Sequence, residues 1–219
     1  NFRVEQRRTI GSQAQPYYEE TVRNRSEFNY EGRLNYSQDF GDISLSGVAG
    51  GNMRTYTYNM NHGETTGGLI SQGVYSLTNS FGTPVVDDFT REQQINSLFA
   101  QASFSYKGWL NIDGSIRNDW SSALPADNNS YFYYGTSGSF IFSDLMDIDW
   151  MSLGKLRFGY TQVGNDTEPY RAANTYAYDA DGTFQGAPRL LIPNDLSNPN
   201  LKPEITTTTE GGLDFVFFD

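Results

Sequence analysis

The chain has 219 residues, with 26 acidic against 15 basic side chains, a formal charge of −11, no cysteine and one histidine, His62. These counts exclude a disulfide scaffold, a thiolate metal site, a cysteine nucleophile and a two-histidine metal motif. The acidic balance argues against a nucleic-acid partner, whose phosphates need Lys and Arg. No basic start followed by an apolar stretch marks a signal peptide, and no run approaches the roughly 18 apolar residues of a membrane helix. Mean hydropathy is −0.57, yet 15% of the chain is aromatic.

A period of two reconciles the polar average with the aromatic surplus, because successive side chains on a strand point to opposite faces. The first predicted strand, 26–38, alternates Phe28, Tyr30, Gly32, Leu34 and Tyr36 with Asn29, Glu31, Arg33 and Asn35. It reaches a second, 42–58, through a tight turn at Asp39-Phe40-Gly41; there Ile43, Leu45, Gly47, Ala49, Gly51 and Met53 form the apolar set. A long loop over about 59–92 leads to a third strand, 93–106, with Leu98, Ala100, Ala102, Phe104 and Tyr106 on one face. Lys107-Gly108 turns it into a fourth, 109–119, carrying Leu110, Ile112, Gly114 and Ile116. Strand 130–142 follows a loop around Pro125 and fits the pattern less cleanly. The Asp-rich stretch Asp144–Asp149 turns it into strand 153–163, with Leu156, Phe158 and Tyr160. A loop of about 40 residues precedes strand 205–218, with Gly211, Leu213, Phe215 and Phe217. All eight prolines lie outside these seven segments, as expected of a residue that cannot donate to a β-ladder.

Short turns at one end, long loops at the other and strands longer than the usual five or six residues predict an antiparallel transmembrane β-barrel segment. Phe40, Tyr106, Trp109, Phe142 and Phe217 cluster near the short-turn end, and Tyr56, Tyr58, Trp120, Tyr131 and Tyr160 near the long-loop end. That is the placement of two interfacial girdles. Seven strands is an odd number, whereas single-chain bacterial barrels have even counts, and open edges are not tolerated in lipid. The segment is therefore expected to be part of a larger barrel. Residues 26–219 form the wall, and residues 1–25 an outer loop or the end of a preceding strand at Asn1–Arg8. Residues 1–33 carry six Arg against five acids, whereas the acids of the remainder fall mostly in loops and turns.

Three stretches carry a family resemblance. The first is Arg117-Asn118-Asp119-Trp120-Ser121-Ser122-Ala123-Leu124-Pro125, followed by Asn129-Ser130-Tyr131-Phe132-Tyr133. The second is Phe140-Ile141-Phe142-Ser143, then Leu153-Gly154-Lys155-Leu156-Arg157 and Tyr160-Thr161-Gln162-Val163-Gly164-Asn165-Asp166. The third is Asn198-Pro199-Asn200-Leu201-Lys202-Pro203-Glu204, then Glu210-Gly211-Gly212-Leu213-Asp214. In order and spacing the chain resembles the SusC/RagA-like TonB-dependent transporters of the Bacteroidota outer membrane; Tyr134-Gly135 departs from the Pro-Ser-like pair expected there. The resemblance implies a 22-stranded barrel with a plugged lumen. It implies uptake of an oligosaccharide or peptide with a SusD-like surface lipoprotein, driven by the TonB–ExbB–ExbD complex through an N-terminal region not in these residues. Outer-membrane lipid is the implied surroundings.

The substrate-binding candidates are Arg54, Tyr56, Tyr58, Arg117, Asp119 and Trp120. Arg117 and Asp119 fall on the polar, lumen-side face, where they suit sugar hydroxyls, and the Trp120 indole suits a sugar ring. The competing role, locking the loop to neighbouring strands, is favoured because buried polar side chains mostly satisfy one another. Arg54, Tyr56 and Tyr58 face the lumen near the outer mouth, where substrate, plug or an interfacial girdle competes for them. Loop residues Tyr170, Tyr176, Tyr178 and Phe184 are placed to meet ligand or lipoprotein. Tyr178-Asp179-Ala180-Asp181-Gly182 hints at a calcium loop, but Ala177 and Pro188 fall where an EF-hand needs carboxylates, so no cofactor is expected beyond a weak surface calcium site. His62 beside Glu64 lacks a second ligand, and no nucleophile elbow, phosphate loop or dinucleotide fingerprint occurs, so no enzyme activity is expected. The alternative reading is a soluble or secreted aromatic-rich β-protein that binds glycans. A third, an outer-membrane β-hydrolase, needs a catalytic constellation the residues do not supply.

Overall fold

The structure is a computed structural model that describes residues 2–8, 16–146, 150–192, 194 and 196–217. Ten strands follow in chain order: β1 (Phe2–Arg8), β2 (Tyr17–Phe40), β3 (Ile43–Glu64), β4 (Val85–Tyr106), β5 (Leu110–Ser121), β6 (Ser130–Ile141), β7 (Met151–Asn165), β8 (Ala177–Phe184), β9 (Ala187–Leu191) and β10 (Glu204–Phe217). Eight of them make one sheet in the order β1-β2-β3-β4-β5-β6-β7-β10, while β8 and β9 pair as a separate hairpin. The described ladders are antiparallel.

All seven predicted strands are present, and three expectations change. Phe2–Arg8 pairs with Tyr17–Arg23, so the sheet has eight strands among the described residues and the odd count does not hold. β2 begins at Tyr17 rather than at 26, and β3 and β4 run to Glu64 and from Val85, which shortens the loop expected over 59–92 to residues 65–84. The loop expected between β7 and β10 contains the β8–β9 hairpin, closed by Gln185 (φ 53) and Gly186 (φ 84). Two successive left-handed residues give the twist that matches a hairpin. The strands extend because their ladders continue after the apolar alternation stops; hydrogen bonding is indifferent to side-chain polarity. The end of the Asp-rich turn, residues 147–149, lies outside the described residues.

The chain divides into two compact units, one of residues 1–28 and 55–93, the other of 29–54 and 94–219. In the larger unit many large apolar side chains of the strands are exposed: Leu34 is 81% accessible, and Tyr30, Leu98, Ile112, Ile116, Phe132, Leu156, Phe158, Leu213 and Phe215 are all exposed. The side chains buried there include polar ones, Ser97 (3%), Asp119 (5%) and Ser121 (1%). This reverses the distribution of a water-soluble domain, in which large apolar residues fill the interior. At the short-turn end the rings meet edge to face: Tyr106 and Trp109 at 5.3 Å, Trp109 and Phe140 at 5.6 Å, and Phe142 and Phe215 at 6.0 Å. Phe215 stacks on Phe217 and Phe217 on Trp150.

That end is tied by main-chain geometry. Lys107 (φ 48) and Gly108 (φ 79) make the β4–β5 turn, and the Lys107 N–H donates to the Asp42 carbonyl at 2.8 Å. Its ammonium stands 3.2 Å from the Asp42 carboxylate, which raises the Lys107 pKa above its ordinary value. Within the strands, Gly50 allows a close approach: an added Cβ would stand 2.6 Å from the Gly32 carbonyl oxygen and 2.7 Å from the Phe99 ring.

In the smaller unit, loop 65–84 is compact. Ile70 and Phe81 N–H groups donate to the Asn79 and Gly68 carbonyls at 2.9 Å. The Asn79 amide donates to the carbonyls of Ser71 and Val74 at 2.8 and 2.7 Å. Its first residue closes on β2, where Thr65 N–H donates to the Tyr18 carbonyl at 3.0 Å, and Gly82 N–H donates back to the Thr66 carbonyl at 2.8 Å. Beside it the His62 Nδ1 lies 2.9 Å from the Thr21 hydroxyl.

Candidate functional site

The most constrained polar cluster forms where β5 ends and β6 begins. Register pairs Asp119 with Ser97 and Tyr131, and Arg117 with Phe99 and Tyr133. Residues opposite one another across antiparallel strands share a face, so the period of two brings these six onto the face opposite the exposed apolar set. The Arg117 Nε donates to Asp119 Oδ1 at 2.8 Å and its Nη2 to the Ser97 hydroxyl at 2.9 Å. Tyr133 donates its phenol proton to Asp119 Oδ2 at 2.8 Å. Both carboxylate oxygens of a buried aspartate are thus satisfied, one by a charge-assisted bond. The buried Ser121 hydroxyl donates to Asp166, linking β5 to the end of β7.

Beside this network lies a recess of about 170 Å³, lined by Asn52, Arg54, Ile95, Arg117, Asp119 and Tyr131, with Gly164, Asn165 and Asp166 closing one side. Two guanidinium and two carboxylate groups make it locally balanced. The volume is below the roughly 300–1,000 Å³ of small-molecule pockets, so the recess admits a hydroxyl-bearing group or a few waters rather than a whole sugar ring. A larger groove of about 680 Å³ runs along β5, β6, β7 and β10, lined by Asp113, Ser137, Ser139, Arg157 and Glu210 over the glycine floor of Gly159, Gly211 and Gly212. Arg157 is held there by a bidentate pair with Asp214, at 2.8 and 3.1 Å.

The six candidates therefore separate. Arg54, Arg117 and Asp119 meet at the recess. Trp120 has the opposite parity on β5, paired with Asn96 and Ser130, so its side chain points away from Arg117 and Asp119. Tyr56 and Tyr58 belong to the smaller unit, where Tyr58 packs edge to face on Phe89 at 6.4 Å. Tyr131, Tyr133, Ser97 and Asp166 are not among the substrate-binding candidates read from the sequence, although Tyr131, Tyr133 and Asp166 stand within its motifs and Tyr131 is read there as a girdle aromatic. Nothing local in Ser97 marks it; only register does. The glycine-floored groove had one legible signal, glycines at 159, 211 and 212 in adjacent strands. Among the described residues no group of three or more His, Asp or Glu side chains is arranged to hold a metal. The side chains of Asp179–Gly182, the hinted calcium loop, lie outside the described residues.

A sheet apolar on its exposed face, polar on the other and ringed with aromatics at its turn end has the design of a transmembrane β-barrel wall. Comparison with known proteins places it further. The chain matches the family "TonB dependent receptor-like, beta-barrel" over residues 2–219 and belongs to that family. It is therefore a segment of an outer-membrane receptor barrel. It is 27% identical over 227 aligned positions to TonB-dependent receptor P3 of Formosa agariphila, which covers 96% of this chain and 21% of that protein. Its fold is similar to the RagAB peptide transporter, with a TM-score of 0.84 at 20% identity over 99% of this chain and 25% of that one. The RagAB peptide importer in the open-open state matches at TM-score 0.75 and 22% identity, over 99% of this chain and 24% of that one. The chain thus spans a quarter or less of the length of these relatives.

Proposed function

We propose that this chain forms part of the wall and outer mouth of a TonB-dependent importer that carries a nutrient, an oligosaccharide or a peptide, across the outer membrane without chemical change. The observation that carries the reading is the continuous apolar face from Tyr30 to Phe217 in a chain of the receptor-barrel family. Transport rather than catalysis is also the occupation of that family. In this reading the TonB–ExbB–ExbD complex supplies the energy, and the host is of the Bacteroidota type, a placement supported by the Formosa relative. The test is a strain lacking the gene, grown on a panel of oligosaccharides and peptides as sole nutrient. We expect loss of growth on one of these classes, the same loss on deletion of tonB, and restoration by the intact gene. Unchanged growth on every nutrient, with the protein in the soluble fraction, overturns the reading and favours the soluble glycan-binding alternative.

The partner in this reading is a SusD-like surface lipoprotein, and the β8–β9 hairpin is its docking element. The hairpin and the residues after it expose Tyr178, Phe184, Leu190, Leu191, Ile192 and Leu196, an apolar concentration in a loop, away from the spanning strands. Such a patch on an extramembrane loop marks an interaction surface. The double substitution Leu190→Asp with Ile192→Asp is expected to abolish co-purification of the lipoprotein while barrel abundance in the outer membrane stays within about 20% of the parent, since neither residue joins the eight-stranded sheet. Undiminished co-purification would remove the hairpin from the interface.

A further inference from the structure

Trp120 stands apart from the Arg117–Asp119 network, on the outward face of the larger unit. Register pairs it with Asn96 of β4 and Ser130 of β6, so these three form one row across the sheet. Trp120 is 11 positions on from Trp109, the indole of the short-turn end. At about 3.4 Å per residue and a wall tilt of about 35–45°, that separation is roughly 26–31 Å in height, close to the ~25 Å apolar band of a barrel wall. The row therefore lies at the opposite boundary of the band, where lipid headgroups begin. The exposed Ile112 and Ile116 of the same strand stand between the two tryptophans, with the same outward parity as Trp120.

The two tryptophans are used differently. Trp109 packs edge to face with both Tyr106 and Phe140. Trp120 is half-buried, meets no other ring and has no hydrogen-bond partner for its indole N–H among the described residues. Around it the outward face changes from aliphatic side chains to amides and hydroxyls. The Asn118 amide donates to the Ser130 hydroxyl at 3.0 Å, and the Gln94 amide to Asn96 Oδ1 at 3.1 Å. One such bond leaves a second N–H and the carbonyl lone pairs of each donor amide available. Farther along the same face Phe132 stacks on Tyr134 at 6.3 Å, and Tyr134 meets Tyr160 at 5.6 Å. The basic residues of β5 and β7, namely Arg117, Lys155 and Arg157, have the opposite parity, and β6 and β10 contain none. A phosphate headgroup calls for Arg or Lys. This face offers instead ring surface for the C–H side of a sugar, and uncharged donors and acceptors for its hydroxyls.

We propose that Asn96, Asn118, Trp120 and Ser130 bind the uncharged sugar headgroup of a membrane glycolipid, taken from the lipid side and separate from the nutrient path. The acyl chains of that lipid lie against Ile112 and Ile116, and its headgroup against the Trp120 ring. The inference needs the barrel wall but no particular nutrient. The test uses the full-length receptor, purified in detergent and stripped of its native lipid. It is offered three lipids with identical acyl chains: monoglucosyl diacylglycerol, phosphatidylglycerol and diacylglycerol. Native mass spectrometry measures what each receptor retains. The glucosyl lipid is expected to be held about tenfold tighter than either of the others, the worth of one or two net hydrogen bonds. Trp120→Ala is expected to erase that preference, Trp120→Phe to keep part of it through the ring face, and Asn118→Leu to weaken it. Heat-modifiable electrophoretic mobility reports whether each variant folds, and should Trp120→Ala fail to fold, the other two variants decide. Equal retention of the three lipids by the parent overturns the site, as does a preference left unchanged in every folded variant. A preference for phosphatidylglycerol also overturns it, assigning the surface to a phosphate. Growth dependent on the gene and on tonB, combined with indifference to the sugar headgroup, rejects this site and leaves the import reading standing.

Discussion

Replacing Ile116 by arginine is expected to destabilise the barrel by about 2–4 kcal/mol, whereas the same change one residue earlier, Ser115→Arg, costs less than about 1 kcal/mol. Ile116 stands near the middle of β5, is 51% accessible and belongs to the apolar face shared with Ile112, Phe158 and Leu213. Ser115 points the other way, toward the polar face, because the side-chain period is two. An arginine at the centre of the lipid-facing surface must be drawn out of water, while one facing a wet lumen keeps its hydration. In a soluble sheet the contrast would vanish, since both positions would already lie in water. Denaturant unfolding of the full-length receptor in detergent micelles or liposomes measures the difference. Equal stability of the two variants would remove lipid from the outer face and with it the membrane reading.

The second large effect is expected at Asp119. Removing its carboxylate by Asp119→Ala strips Arg117 of its 2.8 Å partner and Tyr133 of its acceptor at once. The aspartate side chain is 7% accessible and that of Arg117 36%, so the guanidinium recovers part of its hydration. The cost is therefore below the roughly 3–5 kcal/mol of a fully buried broken pair and close to about 2–3 kcal/mol, the range of hydrogen bonds to charged groups. Asp119→Asn retains an acceptor and is expected to cost about half as much. Heat-modifiable electrophoretic mobility and denaturant midpoints report this directly. A variant with parental stability but lost substrate binding would instead place Asp119 on the ligand, reversing the assignment of the network to loop anchoring.

The two expectations draw on different layers of legibility. The apolar face could be read from residues alone, because alternation is a local property that needs no knowledge of what lies beside a strand. Ile112, Ile116, Leu156 and Phe158 declare their face wherever the neighbouring strands fall. The Arg117–Asp119 pair was legible as a motif, and its shared parity as a face, but its partners were not. Ser97 lies 20 residues away and Asp166 45 residues beyond Ser121, and only the pairing register brings them together. Trp120 shows the opposite failure. It adjoins Asp119 in sequence and faces away from it in space, since one residue along a strand reverses direction.

Strand ends escaped for a related reason. The extensions Tyr17–Arg25, Asn59–Glu64 and Val85–Glu92 carry no clean alternation, and a ladder outside the lipid needs none. The β8–β9 hairpin rests on a turn, Gln185-Gly186, whose first residue is an unusual left-handed glutamine. The ring contacts of Arg25 with Tyr58 and of Tyr58 with Phe89 likewise join three strands far apart in sequence, and no single segment signals them.

By itself, then, the sequence determined that the chain is a set of long antiparallel strands with one apolar and one polar face, and its motifs determined the family. Both follow from local rules, side-chain period and residue order. Tertiary structure decided between the two readings of residues 1–25, pairing Phe2–Arg8 with β2 as a strand of the sheet, and it alone decided which side chains share the recess. It also decided that Arg117 meets the Asp119 carboxylate and that Arg25 stacks on the Tyr58 ring. Those outcomes depend on register, and register is set jointly by turns and by neighbouring strands far apart in the chain.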